Sequence, residues 1–323
     1  MTNRSRLILK IVSIAVASPI VLFLVLATLL YVPPVQQFAV DRVASSLSAS
    51  TGTTCRVGRV RLGFPLRLAL HEVLAKEQAD TLLYARSALL DVRLWPLFSG
   101  VVDVDAVALY GVQVDTKQYI PDTYIRGHVG ELTAASHGVD LKQELVRLDH
   151  ATLRRADLFI ALSDTAQQDT ASTPMNWRIL VQRADIEKSR IRLHMPGDSM
   201  RIGADIPLVA LRGGDFDLGH GRYAFRRLEL RRCALQYDVP QAPRTEGVDV
   251  NHLAVSQFSA IVDTLTYTAD GTLRAGLRKA TLHERCGLAV TGVRGAVYMD
   301  STQLQVPALN LRTPHSRLDV GLA

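Results

Sequence analysis

Polar and apolar residues alternate one for one over long stretches beyond residue 50, and this period of two limits the fold more than any other feature of the chain. From Val60, the even positions Val60, Leu62, Phe64, Leu66, Leu68 and Leu70 are apolar, with Arg59, Arg61, Arg67 and His71 among their odd neighbours. From Val102 the pattern returns in Val102, Val104, Ala106, Ala108, Tyr110, Val112 and Val114, interleaved with Asp103, Asp105, Gln113 and Asp115. Successive side chains of a strand point to opposite faces, so each stretch predicts a strand with one dry and one wet face. Strands that are dry on one side belong to antiparallel sheets, because buried parallel strands read as continuous apolar runs. Ala88, Leu90, Val92 and Leu94 mark a third such strand, ended by Trp95-Pro96.

A second pattern follows. Ala151-x-Leu153 is followed five residues after Leu153 by Leu158-x-Ile160. Ala184-x-Ile186 leads likewise to Ile191-x-Leu193, and Leu228-x-Leu230 to Leu235-x-Tyr237. The links are Arg154-Arg155, Glu187-Lys188 and Arg231-Arg232, each followed by a small residue: Ala156, Ser189 or Cys233. A gap of five is odd, so an unbroken strand would turn the second pair to the other face. A bulge or tight corner in each link restores the facing. Repeated strand-corner-strand units predict an elongated sheet that grows by repetition. Ser163 to Pro174 and Tyr119 to Gly138 read as loops, and Val139 to Leu145 as a short helix. The segments from Leu309 to Pro314 and from Ser316 to Ala323 read as a strand pair. With the sheet pattern still running at Ala323, the chain reads as the N-terminal part of a longer protein.

The first 50 residues are of another kind. Ile11 to Tyr31 carries no charge, and at about 1.5 Å per residue it covers a hydrocarbon core of ~30 Å. Arg4, Arg6 and Lys10 precede it and the first charge beyond it is Asp41. That asymmetry predicts a cytoplasmic N-terminus and an exported body. Val25-Leu26-Ala27 fits a signal-peptide cleavage site, but the apolar run continues past it, so a retained anchor is expected; with either processing the body is exported. Pro33-Pro34 stops the helix. Val35, Phe38, Ala39, Val43 and Leu47 then share one face of a short amphipathic helix. The expected division is a basic N-terminus (1–10), a transmembrane helix (11–31), a short helix (33–50) and a repetitive β domain (51–323).

Little in the chain speaks for chemistry. The net charge is +6 and the pI about 9.4, but the basic residues are dispersed, without the clusters that mark a nucleic-acid binder. Cys55, Cys233 and Cys286 have no metal-ligand or redox-motif spacing and read as buried small side chains. Gly197-Asp198-Ser199-Met200 matches the start of one esterase class, but no Asp-x-x-His accompanies it, and a turn is expected. Asp103/Asp105 and Asp215/Asp217 are two apart, which on a strand means one face; a solvated face is expected rather than a cation site. No phosphate loop or dinucleotide fingerprint occurs. The expectation is a protein without catalytic residues, cofactor or metal.

A one-sided sheet must cover its dry face. The ordinary solution is a closed sandwich or barrel; the other is an open, curved sheet covered by lipid chains. Periodicity alone leaves both standing.

The order of parts resembles the TamB/AsmA-like family. The resemblance runs through Arg4 to Lys10, Ile11 to Tyr31, Val35 to Leu47, the turn Thr51-Gly52-Thr53 and the strand Val57 to Leu62. It continues through Ala88 to Leu94, the Leu-Phe-Ser-Gly turn at Leu97 to Gly100, the strand Val102 to Asp115, and the late segment Leu309 to Leu318. It implies a long antiparallel sheet curled into an open groove with an apolar inner face, anchored in the inner membrane with its bulk in the periplasm. It further implies phospholipids as cargo, moved between inner and outer membranes. The implied lining is Leu62, Phe64, Leu66, Leu68, Val102, Val104, Ala106, Val112 and Val114. A BamA/TamA-like outer-membrane barrel is the implied partner, through a C-terminal region that family members carry and this chain lacks. The alternative is a scaffold for outer-membrane protein assembly. About 16 strands at ~4.8 Å spacing would give a sheet about 80 Å long.

Overall fold

The computed structural model describes residues 53–63, 67–78, 80–92, 104–117, 123–140, 143–162, 176–195 and 199–321. The expected membrane helix and short helix lie outside these residues, as do Phe64, Leu66, Val102 and the 163–174 segment. Every regular element among the described residues is a strand. They are β1 (Thr54–Gly63), β2 (Arg67–Glu77), β3 (Asp80–Val92), β4 (Val104–Asp115), β5 (Thr123–Asp140), β6 (Leu145–Leu162) and β7 (Arg178–Met195). Then come β8 (Met200–Asp217), β9 (Arg222–Asp238), β10 (His252–Tyr267), β11 (Leu273–Glu284), β12 (Ala289–Met299), β13 (Leu304–Arg312) and β14 (Arg317–Gly321). They form one 14-stranded sheet in sequence order, roughly 60 Å along the stacking direction at ~4.8 Å per strand.

The sheet is open and curved, and each strand packs against its neighbours in sequence, without a second layer among the described residues. Among the described residues the sheet closes into neither a sandwich nor a barrel. Among the described residues only the small side chain of Cys233 is less than 2% exposed, as expected of a molecule without a filled interior.

Three expectations are corrected. The sheet is not antiparallel throughout, because β6 and β7 run parallel, with Ala151 beside Ala184, Leu153 beside Ile186, Leu158 beside Ile191 and Ile160 beside Leu193. The two copies of the repeated motif are thus in-register neighbours, and the 163–177 connection is long enough for the crossover that a parallel pair needs. Two antiparallel meanders, β1–β6 and β7–β14, therefore meet at one parallel seam. Second, the Gly-containing stretch 119–138 is not a loop, since β5 fills most of it. The expected helix near 139–145 is instead the end of β5, a turn at Gln143–Glu144 and the start of β6. Third, the single alternating run from Val60 to Leu70 is a hairpin, with Leu62 opposite Leu68 and Val60 opposite Leu70. The parity survives because a hairpin is symmetric about its turn. The strand pair expected at the end of the chain is present as β13 and β14, with Leu311 opposite Leu318.

The corners expected in the five-residue gaps are also present. Arg155, Lys188 and Arg232 have φ of 51°, 48° and 49°, left-handed values inside otherwise extended strands. Arg154 and Arg155, adjacent in sequence, both reach Glu131, at 3.8 and 3.7 Å. Two successive side chains on one side is what an unbroken strand forbids and a one-residue bulge allows.

Candidate functional site: an apolar trough

These corners are not isolated. Glu72 in β2, Gly111 in β4 and Gln257 in β10 are left-handed at matching positions. In β3, β5 and β8 the residues falling opposite are Arg86, Gly130 and Pro207. Together they draw a crease across β2–β10, perpendicular to the strands. Glycine is required where a long side chain lies across the crease: a Cβ on Gly111 would stand 3.1 Å from the Arg86 Cβ, and one on Gly130 2.9 Å from the Arg155 Cβ. Pro207, which has no N–H to give a ladder, sits where the ladder is interrupted. Gly213 in β8 and Thr264 in β10, with φ of 62° and 52°, flank Arg226 and begin a second, shorter crease.

The crest of the main crease is exposed at Glu72, Arg86, Arg155, Lys188, Pro207, Arg232 and Gln257. In β3, β4, β6, β7, β8 and β9 the next residue toward the inside is buried. Ala85 is 2% exposed, Ala156 3%, Ser189 5% and Cys233 0%, joined by Val112 and Ile206. The bend therefore has a charged outer edge and a tightly occupied inner corner. Small residues are needed there because two halves of the same strand converge. Ser189 also repairs the interrupted ladder: Ala156 N–H donates to its Oγ at 3.1 Å, and that hydroxyl donates to the Glu187 carbonyl at 2.9 Å.

Beside this corner, cross-strand partners share a face and can be followed from strand to strand. In one row, Val60, Leu70, Ala88, Leu109 and Leu132 lead from β1 to β5. Leu153, Ile186, Val209 and Leu230 continue it to β9. Ala260, Ala280, Val293, Leu311 and Leu318 carry it to β14. A second row of the same face begins Leu62, Leu68, Leu90, Val107, Ala134 and Ala151. It runs through Ala184, Leu211, Leu228 and Val262 to Leu277, Gly295, Leu309 and Val320. Every one of the fourteen strands contributes an apolar residue or glycine to both rows. A third row lies across the crease and spans β3–β10, including Leu83, Val114, Leu158, Ile191, Leu235 and Val255.

The other face is ionic. Arg154 binds Glu187 through two hydrogen bonds of 2.9 and 3.2 Å. Arg178 donates to both oxygens of Asp215, which also accepts from Arg222 at 3.0 Å; the Arg178 hydrogen bonds hold the Asp215 carboxyl below its ordinary range. Arg192 reaches Asp157 at 2.8 Å, and Asp185, buried beneath its partners, accepts from Arg183 at 2.7 Å and meets His150 at 3.0 Å.

Of the expected lining, Leu62 and Leu68 stand opposite each other in the second apolar row. Val112 lies in the corner and Val114 in the third row. Ala106 does not join them. It belongs to the row of Ala135, His150 and Arg183, on the ionic face. The left-handed Gly111 breaks the alternation, so even positions line the trough after it and face outward before it. The trough residues of that strand are Val107 and Leu109, which parity counting passed over. Val104 is placed in β4 opposite Val92; Phe64, Leu66 and Val102 lie outside the described residues. The five-residue gap was the available signal, since Gly111 and the paired Arg residues mark one crease.

Elsewhere, Ser199 takes a left-handed turn conformation with φ 51° just before β8, and Asp217 bonds His220. The three cysteines are free. Among the described residues no three His, Cys, Asp or Glu side chains group as metal ligands. No family model matches the chain, and no curated protein is detectably similar to it.

Proposed function

We propose that this protein is anchored in the inner membrane by residues 11–31 and carries phospholipids through the periplasm along its apolar trough, supporting the outer membrane in the manner of TamB/AsmA-like proteins. On this reading its far end meets a barrel of the outer membrane. The observation that supports it most is the pair of unbroken apolar rows crossing all fourteen strands, on a sheet with no second layer among the described residues. Such a face would be unfavourable bare in water, and acyl chains cover it without demanding a fixed shape. Keeping a chain out of water is worth roughly 0.8 kcal/mol per CH₂. A chain moving from bilayer to trough exchanges one apolar environment for another, so transfer needs no catalytic group. The charged crest and the ion pairs of the other face keep that side in water.

The test is native mass spectrometry of the chain isolated without detergent, beside the variants Ile186→Asp and Leu153→Asp. Bound phospholipid in the wild type, lost from both variants while their β-sheet circular dichroism is kept, is the expected result. A lipid-free wild type, or variants that retain their lipid, would overturn the proposal.

A further inference from the structure

At one rim of the trough, where β7 and β9 end and β8 and β10 begin, a cleft of about 620 Å³ opens. Its composition differs from the rest of the sheet. Leu193, Ile202, Tyr237 and Leu253 in its lining are ladder partners, two positions beyond Ile191, Ala204, Leu235 and Val255, and so continue the third apolar row to the lip. The remaining lining belongs mostly to the ionic face, where Gly203 and Ala254 leave a depression between longer side chains. Around it stand Arg192, Arg201 and Arg285, against Asp238 as the one carboxylate in the lining.

That carboxylate is already engaged. Asp238 Oδ1 lies 2.7 Å from Nδ1 of buried His252, whose Nε2 lies 3.0 Å from the Ala242 carbonyl oxygen. Both ring nitrogens face acceptors, an arrangement that favours the doubly protonated imidazolium. Arg285 is fixed against the same strand, donating through Nη2 to the His252 carbonyl at 3.0 Å. Arg201 forms no ion pair among the described residues. The cleft thus joins an excess of fixed positive charge to an apolar lip that leads into the trough.

We infer that this cleft holds the phosphate of an anionic lipid headgroup, with the acyl chains passing over the lip onto Leu193 and Ile202, and is where cargo enters or leaves the trough. The inference rests on the lipid-carrying reading and adds a headgroup class and a place. Guanidinium groups suit it because they meet phosphate oxygens with paired, charge-assisted hydrogen bonds.

The experiment follows extraction of a fluorescent lipid by the full chain. Donor vesicles are phosphatidylcholine alone, or phosphatidylcholine mixed with phosphatidylglycerol; the label is on an acyl chain of either lipid. Wild-type protein is expected to prefer phosphatidylglycerol by about tenfold, a modest value for charge-assisted contacts. Arg201→Glu, at an exposed position, abolishes the preference, and Arg201→Lys keeps most of it. Equal uptake of both lipids by wild type, or a preference that survives Arg201→Glu, overturns the headgroup site while the trough stands. Saturable binding of inorganic phosphate to the lipid-free wild type, lost in Arg201→Glu, together with equal uptake of the two lipids, assigns the cleft to free phosphate and overturns the lipid site. No uptake of either lipid overturns the trough reading and this inference with it.

Discussion

The creased part of the sheet, β2–β10, and its last two strands are built from similar residues yet treat them differently. Across the crease Ala85, Ala156, Ser189 and Cys233 are almost wholly enclosed. In β14 every residue is exposed, with Leu318 at 50% and Val320 at 46%. The apolar rows beside the corner run into both regions, so the rows themselves do not make the difference. Bending does: a left-handed residue folds each strand back toward itself, and the strand shelters its own small side chains without a second layer. β13 and β14 contain no left-handed residue and no buried position, and in β14, at the sheet edge, the rows are open to water. The two least exposed side chains of this single-layer sheet among the described residues, Cys233 and Ala85, lie at the bend.

The comparison breaks most clearly if one bulky residue is placed in both regions. Cys233→Phe forces a ring into a corner with no free space and lowers the unfolding free energy by about 3 kcal/mol, the upper part of the usual overpacking range. Leu318→Phe in β14 changes it by less than about 0.5 kcal/mol, as for exposed sites generally. Urea unfolding of the two variants measures both; equal effects would mean that the corner is not a tight site.

Ser189→Ala comes next. It removes the hydroxyl that accepts from Ala156 N–H, leaving a buried donor unpaired at a cost of about 1–3 kcal/mol. Ser189→Thr keeps the hydroxyl and recovers part of the loss. A neutral alanine variant would show that the crease does not depend on this repair.

A smaller effect of opposite sign sharpens the contrast. Lys188 holds a left-handed conformation that costs a non-glycine residue about 1–2 kcal/mol, whereas introducing glycine costs about 0.4–1 kcal/mol through unfolded-chain entropy. Relief of strain outweighs entropy, so Lys188→Gly stabilises by about 0.5–1 kcal/mol. In β13, where no strain is relieved, Ala308→Gly destabilises by a similar amount. The same sign at both positions would refute the assignment of strain to the crease.

Much of this architecture was legible in the sequence, and the misses have separate physical causes. The gaps of five at Leu153–Leu158, Ile186–Ile191 and Leu230–Leu235 announced corners, and the corners are there. The spacing of 33 residues between Ala151 and Ala184 announced repetition, but repetition does not state strand direction, and the parallel seam went unseen. Gly111 was passed over because the residues on both sides of it are apolar: parity ran from Ala106 to Val112 without a visible interruption, and Ala106 was put on the wrong face. In β6 the interruption is visible because Arg154-Arg155 places two charges in succession. A bend is readable where the outer face is charged and hidden where both faces are greasy. Strands β10–β12 showed no clean alternation because bulges, such as the one between Leu277 and Ala280, shift their parity locally.

The smallest expected effect concerns the two kinds of turn that close these regions. Beside the creased part, the 239–251 connection is tied down by His252, whose pKa is raised above its ordinary value chiefly by the hydrogen bond to Asp238 and then by that to Ala242. A group whose folded-state pKa is raised contributes stability that is complete below the unfolded value and is lost as pH rises through the folded one. Raising the pH from below histidine's ordinary value to well above it, through the raised folded-state pKa, removes one donated hydrogen bond and loosens the connection. The turn between β12 and β13 is held by Asp300, which accepts from Thr302 N–H at 2.8 Å and Gln303 N–H at 2.9 Å. The Thr302 hydroxyl, which donates to the same carboxylate at 2.7 Å, and then these backbone bonds hold the Asp300 carboxyl below its ordinary range, so the turn is indifferent to that pH change. Amide hydrogen exchange, corrected for intrinsic base catalysis, should show protection around Ala242–His252 falling severalfold over this range, with no change at Thr302 and Gln303. Asp238→Asn removes the charge that favours the imidazolium and moves the transition to lower pH. A connection equally protected at both ends of the range would mean that His252 does not hold it through its second proton.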